Sequence, residues 1–131
     1  MFYSIQPQQV QDLCIKFPEK DCYFLTANLQ TRAGDTFELS QTTNRIIRAW
    51  NYDALLVVEH YQFHGRTAIF APHVHAIIRC GPSDALSMAK AISDANVCCD
   101  TDVRGVYDTR GLLRYFVMDS SALHFLQKRY T

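Results

Sequence analysis

Two histidines separated by one residue, His73 and His75, stand in the run Ala71-Pro72-His73-Val74-His75-Ala76-Ile77-Ile78-Arg79-Cys80. On a β-strand, residues two apart share a face. Both imidazoles therefore point one way, and Val74, Ala76 and Ile78 point the other, toward packed helices. Two imidazoles side by side on an apolar strand are costly unless something fills the space between them. A divalent metal ion does so, taking one nitrogen from each ring. The alternative is a pair of histidines each satisfied by a local hydrogen bond.

A third ligand is expected from the preceding segment, Asp53 to Tyr61, read as a buried strand ending in polar residues. Glu59 shares a face with Leu55 and Val57, whereas His60 takes the opposite one. Glu59 is the first choice, with His60 and His64 behind it. A turn at His64-Gly65-Arg66 makes the two strands a hairpin. An irregular stretch between them is needed to bring Glu59 across from the histidines. Two imidazoles, one carboxylate and open positions suit Mn²⁺ or Mg²⁺ acting on a phosphate.

A nucleophile is available in Tyr115. In Gly111-Leu112-Leu113-Arg114-Tyr115-Phe116-Val117-Met118-Asp119, helical spacing groups Leu112, Leu113, Phe116 and Val117 into one stripe. At about 100° per residue, Tyr115 falls roughly 130° from the centre of that stripe, with Asp119 one turn on. A phenol with a pKa near 10 needs a base or a positive field to attack at neutral pH. The metal, Arg110 or Arg114 would supply the field. Tyr107, on a strand expected over Asp102 to Thr109, is the competing nucleophile. The bland alternative for Tyr115 is a half-exposed tyrosine without a role.

The elements that position these residues follow from periodicity. A short helix is expected from about Gln8 to Phe17, stopping near Pro18. Cys22 to Gln30 alternates, with Tyr23, Leu25, Ala27 and Leu29 on one side and Phe24, Thr26, Asn28 and Gln30 on the other. Gly34-Asp35 breaks that strand. Thr36 to Trp50 is helical, with Phe37, Leu39, Ile46, Ile47 and Trp50 packing. Ala71 to Cys80 is the third strand. After Gly81-Pro82, Ser83 or Asp84 caps a helix carrying Leu86, Ala89, Ala91 and Ile92. Gly111 to Ser121 is the last helix, and the tail closes with His124-Phe125-Leu126. This order predicts an α+β fold: an antiparallel sheet of four to five strands with helices mainly on one face, a split βαβ arrangement.

The 131 residues suit one domain, residues 1–131. No apolar run is long enough to cross a membrane. The start, Met1-Phe2-Tyr3-Ser4-Ile5-Gln6-Pro7, lacks the basic and apolar regions of a signal peptide, so a cytoplasmic location is expected. The five cysteines, Cys14, Cys22, Cys80, Cys98 and Cys99, are odd in number and show no Cys-x-x-Cys spacing. That argues against a disulfide framework or a thiolate zinc site. Lys plus Arg and Asp plus Glu number 13 each. Such neutrality disfavours a long nucleic-acid track but allows a short single-stranded site. Basic residues do gather from Arg104 onward.

Three stretches, in order, resemble the HUH endonucleases, above all the rolling-circle replication initiators of small phages, viruses and plasmids. Phe24-Leu25-Thr26-Ala27-Asn28 is similar to the family's first motif, Pro72 to Ile78 to its His-hydrophobe-His motif, and Gly111 to Ser120 to its tyrosine motif. The family usually carries lysine three residues after the tyrosine. Here Met118 stands there, Asp119 keeps the following acid, and Arg114 substitutes in part.

The resemblance implies a ferredoxin- or RRM-like HUH fold and an enzyme. It would nick and rejoin single-stranded DNA at an origin or hairpin through a 5′-phosphotyrosine on Tyr115. His73, His75 and Glu59 would hold Mn²⁺ or Mg²⁺, and Thr26, Asn28, Arg110 and Arg114 would meet the DNA. Expected partners are single-stranded DNA, a second copy of the chain, and separate helicase or replisome proteins, with no membrane. Two other readings stay open. One is a single-tyrosine transposase, whose relatives carry Gln or Asn close after the tyrosine where this chain has Phe116-Val117-Met118. The other is a non-catalytic single-stranded nucleic-acid binder using Phe24 and Tyr61 for stacking.

Overall fold

The computed structural model describes residues 7–29, 36–95, 99–113, 122–126 and 129. Chain order is helix α1 (Pro7–Lys16), strand β1 (Cys22–Leu29), helix α2 (Thr36–Trp50), strands β2 (Ala54–His64) and β3 (Thr67–Arg79), helix α3 (Pro82–Ala95), then strands β4 (Cys99–Gly105) and β5 (Ala122–Leu126). All five strands join one antiparallel sheet in the order β4-β1-β3-β2-β5. The α+β expectation holds. The fifth strand comes from the tail, which pairs along the outer side of β2, Ala54 opposite Leu126.

Alternation along the strands divides the core in two. Leu25, Ala27, Leu56, Val58, Val74, Ala76 and Ile78 face α2 and α3, where Leu39, Ile47, Met88, Ala89 and Ile92 meet them. Burying each Leu or Ile there is worth about 1.5–3 kcal/mol. Among the described residues, a smaller cluster lies on the opposite face, toward one end of the sheet. Phe17 with Leu13 and Cys14 from α1, and Leu113 with Leu112 from the helical residues 109–113, pack on Leu55, Val57 and Ile77. The two long helices thus share one face. Among the described residues, the other face carries this smaller cluster and, beside it, the buried polar residues Glu59, His73 and His75.

Several boundaries differ from the sequence expectations, each for a local reason. Trp50 packs less than expected, 39% exposed at the end of α2. The next residue, Asn51, takes a left-handed φ of 61° and closes the helix by donating its N–H to the carbonyls of Ile47 and Arg48. Helix α3 begins at Pro82, before Ser83 and Asp84. Gly81 supplies the first carbonyl, to Ala85 N–H, and proline suits the first helical position because its missing N–H has no partner to lose there. Strand β4 runs over Cys99–Gly105, not Asp102 to Thr109. Asp108 instead caps the helical residues 109–113, its carboxylate accepting from Gly111 N–H at 3.0 Å. That helix therefore starts two residues before Gly111. The remainder of the expected Gly111–Ser121 helix lies outside the described residues.

The hairpin of β2 and β3 is longer than expected and reaches a two-residue tip at Gly65-Arg66, where Gly65 has φ 62°. Its ladder breaks once. Tyr61 pairs with Phe70 and Glu59 with His73, so His60 alone faces both Ala71 and Pro72. This is a β-bulge, the place in a sheet where a proline costs no ladder hydrogen bond. The irregular stretch demanded by the ligand geometry is present.

Candidate metal centre

The bulge sets which residues meet on the sheet face opposite α2 and α3. Counted unbroken from the tip pair His64–Thr67, the ladder would place Glu59 opposite Pro72, one residue out of phase with His73. The extra residue in β3 shifts the register by one, and Glu59 stands opposite His73. Cross-strand partners share a face, so a one-residue shift decides whether carboxylate and imidazoles meet at all.

They meet closely. Glu59 Oε2 is 2.8 Å from His73 Nε2 and 3.8 Å from His75 Nε2. The two rings stand edge to face with centroids 4.7 Å apart. One ligand atom from each residue falls within 4.8 Å of the others. Metal–donor bonds of about 2.0–2.2 Å require donors up to about 4 Å apart, so the set is nearly closed already. All three residues are buried, at 3%, 7% and 8% exposure. A carboxylate held this deep is costly unless charge or hydrogen bonds compensate it. A divalent cation matches the demand, and the donor set of two imidazoles and one carboxylate leaves coordination positions open.

Burial and the neighbouring His73 push the His75 imidazolium down, to a pKa of about 4 from 6.5, with Glu59 opposing. His75 is thus neutral at physiological pH, the state a metal ligand needs. Strand β1 holds its ring. Thr26 is the register partner of His75, and its Oγ1 lies 2.9 Å from His75 Nδ1. Phe24, two residues along on the same face, stacks on the ring at 5.0 Å and 22°. The far nitrogen, Nε2, is the one turned to Glu59.

Of the expected third ligands, the first choice, Glu59, completes the set. The side chains of His60 and His64 lie outside the described residues. Thr26 was expected at the DNA, yet its hydroxyl is engaged with His75. Asn28 is half-buried in register with His73 on one side and Asp100 on the other. Arg110 is exposed in the helical residues 109–113. Tyr115 and Arg114, with Met118 and Asp119, lie outside the described residues. Tyr107 is 90% exposed. Its neighbour Val106 donates to Cys22 O, four residues along β1 from Thr26, about 13 Å at strand rise.

Two features escaped the sequence reading. Phe24 packs against a ligand, and only its shared parity with Thr26 hinted at this. Asp100 and Asp102, both exposed on β4, stand in register beside Asn28 and Thr26. They put negative charge at that edge. Asp102 is offset by Arg104 Nε at 2.8 Å.

No protein-family model matches this chain, and no curated protein does. The fold is similar to that in the crystal structure of the hypothetical protein ORF119 from Sulfolobus islandicus rod-shaped virus 1. The TM-score is 0.56 at 15% identity, over 86% of this chain and 91% of that one. A hydantoinase/carbamoylase family amidase from Burkholderia ambifaria aligns only loosely, with TM-score 0.37 and 8% identity over 66% of this chain and 27% of its own. Among the described residues, no helix is long and apolar enough to cross a membrane.

Proposed function

We propose that this chain is an HUH-type endonuclease that nicks and rejoins single-stranded DNA through a tyrosine. The observation that carries the reading is the buried Glu59–His73–His75 set on the sheet face opposite α2 and α3. It is built on the His-hydrophobe-His strand and flanked by the Phe24–Thr26 strand, as the resemblance implies. Leu113, buried in the cluster on that same face, precedes Tyr115 by two residues.

In this reading Glu59, His73 and His75 hold Mn²⁺ or Mg²⁺. When bound, the ion polarises the phosphoryl oxygen and orients the scissile phosphate. The Tyr115 hydroxyl attacks the phosphorus in line and gives up its proton. The bond to the 3′ oxygen breaks, that oxygen is protonated, and the DNA 5′ phosphate remains on tyrosine. Attack by a 3′ hydroxyl on the phosphotyrosine reverses the step and rejoins a strand. Arg110 and Arg114 contribute positive field to the phosphate. The origins served would be those of a phage, virus or plasmid, with helicase functions supplied by other proteins.

The test is formation of a covalent protein–DNA adduct. Wild type, Tyr115→Phe and His73→Ala are each incubated with Mn²⁺ and 5′- or 3′-labelled single-stranded oligonucleotides. The expected result is a denaturation-resistant adduct carrying the downstream label, formed by wild type alone. No adduct with wild type, despite binding of the oligonucleotide, would move the chain to the binding-module reading. An adduct persisting in Tyr115→Phe would transfer the nucleophile to Tyr107.

A further inference from the structure

A neutral imidazole carries one N–H, and the nitrogen that faces a metal must be the other one. For His75 the nitrogen toward Glu59 is Nε2, so a metal there requires the proton on Nδ1. An acceptor must then stand at Nδ1, within the buried sheet. Thr26 Oγ1 occupies that position at 2.9 Å. The opposite tautomer would aim an Nε2 proton toward Glu59 Oε2 at 3.8 Å, beyond hydrogen-bond range. That same oxygen lies 2.8 Å from His73. Geometry therefore favours Nδ1–H donating to the threonine.

We propose that Thr26 is a positioning residue for His75, fixing its tautomer and ring plane so that Nε2 addresses the ion. This rests on the metal-centre reading and deepens it. Thr26 is suited to the role because register places it directly across from His75 and because its branched side chain has few rotamers. Phe24 supplies the second restraint. Stacked at 22°, it limits tilting of the ring while Thr26 limits its rotation. The aromatic–threonine spacing of this strand thereby acquires a purpose distinct from DNA contact: it holds a ligand from the neighbouring strand.

The experiment compares wild type, Thr26→Val and Thr26→Ser. Mn²⁺ affinity is read from the electron paramagnetic resonance signal of the free ion. The His75 tautomer is read from ¹⁵N chemical shifts in the metal-free protein. Wild type is expected to show the Nδ1–H tautomer. Thr26→Val, which keeps the shape, should lose that tautomer and bind Mn²⁺ about 10–100-fold more weakly, the usual effect of removing a ligand's hydrogen-bond partner. Thr26→Ser, which keeps the hydroxyl, should recover most of the affinity. Unchanged Mn²⁺ affinity in Thr26→Val, or an Nε2–H tautomer in wild type, overturns the positioning role and leaves the metal centre standing. A wild type that binds no Mn²⁺ overturns both. Tight Mn²⁺ binding with the expected variant pattern but no covalent adduct supports the role of Thr26 while removing the nickase reading.

Discussion

Glu59 and His73 are cross-strand partners, with carboxylate oxygen and imidazole nitrogen 2.8 Å apart, on the far side of a register break from the hairpin tip. The pair serves either as a structural hydrogen bond or as half of a metal site, and Glu59→Gln separates these. Gln keeps the shape and a hydrogen-bonding oxygen but removes the charge. Mn²⁺ affinity measured by calorimetry should fall by at least about 10–100-fold, the scale set by losses even beyond the direct ligands. Melting in chelator should change little, because Gln keeps the volume and an oxygen that can accept a hydrogen bond from His73. A large loss of metal-free stability with Mn²⁺ affinity intact would make the carboxylate structural.

The metal-free chain should be acid-sensitive. His75 has its folded pKa pushed down to about 4 from 6.5, chiefly by burial. Between those values the unfolded chain takes up a proton that the folded chain refuses. The stability concerned is fully present above pH 6.5 and is lost as pH falls toward 4. Urea midpoints in chelator should decline across that window. Adding Mn²⁺ at pH 7 should raise the midpoint, since an ion bound only by the folded state stabilises by RT ln(1 + [L]/Kd). Equal midpoints at pH 6.5 and 4.5 would contradict the buried neutral assignment.

Asn51 does two jobs. Its left-handed φ of 61° ends α2, and its side chain donates to Arg129 O at 2.9 Å while accepting from Arg129 N–H at 2.8 Å. That amide clamp fastens the chain just beyond β5, itself paired with β2 beside the site. Asn51→Gly keeps the backbone conformation and loses the clamp, at a cost of about 1 kcal/mol or more for two exposed hydrogen bonds. Asn51→Ala also strains the backbone, adding roughly 1 kcal/mol. Chemical denaturation should rank wild type, Gly and Ala in that order. Ala as stable as Gly would remove the backbone contribution.

The thiols should be sluggish. Burial, reinforced by Asp84, pushes Cys80 up to about 11. Burial, partly opposed by Arg79, pushes Cys22 up to about 12. Fewer thiolates outweigh their greater nucleophilicity, so Cys80 should alkylate about tenfold more slowly at pH 8 than in the unfolded chain. Mass-resolved iodoacetamide labelling reads this directly. Because the folded values lie above the ordinary 9.0, the linked stability is present below pH 9 and is lost as pH rises toward 11–12. Rates equal to those of the unfolded chain would place these thiols in open solvent.

Much was legible locally. Helix α2 has the expected bounds, Thr36–Trp50, because its apolar positions recur at helical spacing between a Gly-Asp break and Asn51. The two faces of β1 follow from simple alternation: Leu25 and Ala27 are in the core, and Phe24 and Thr26 are at the site. Strand β5 was not legible, because five residues carry little periodic signal and the partner, β2, lies far back in the chain. The start of the helical residues 109–113 depended on the exposed Asp108 carboxylate folding over the first turn to cap it, which alternation alone does not reveal.

By itself, the sequence determined that His73 and His75 share one face and that Glu59 shares the face of Leu55 and Val57, since the pleat has a period of two. It could not determine that these two faces are the same side of one sheet. That rests on the offset between β2 and β3, where a single extra residue opposite His60 reverses the outcome. It could not align Thr26 with His75 either, because nothing within β1 states its register on β3. Tertiary packing chose both registers. Strands β1, β2 and β3 bury their apolar sides against α2 and α3, and that fixes the parity of the registers, so that Leu25, Leu56 and Val74 enter one core while the buried carboxylate and imidazoles lie on the other side.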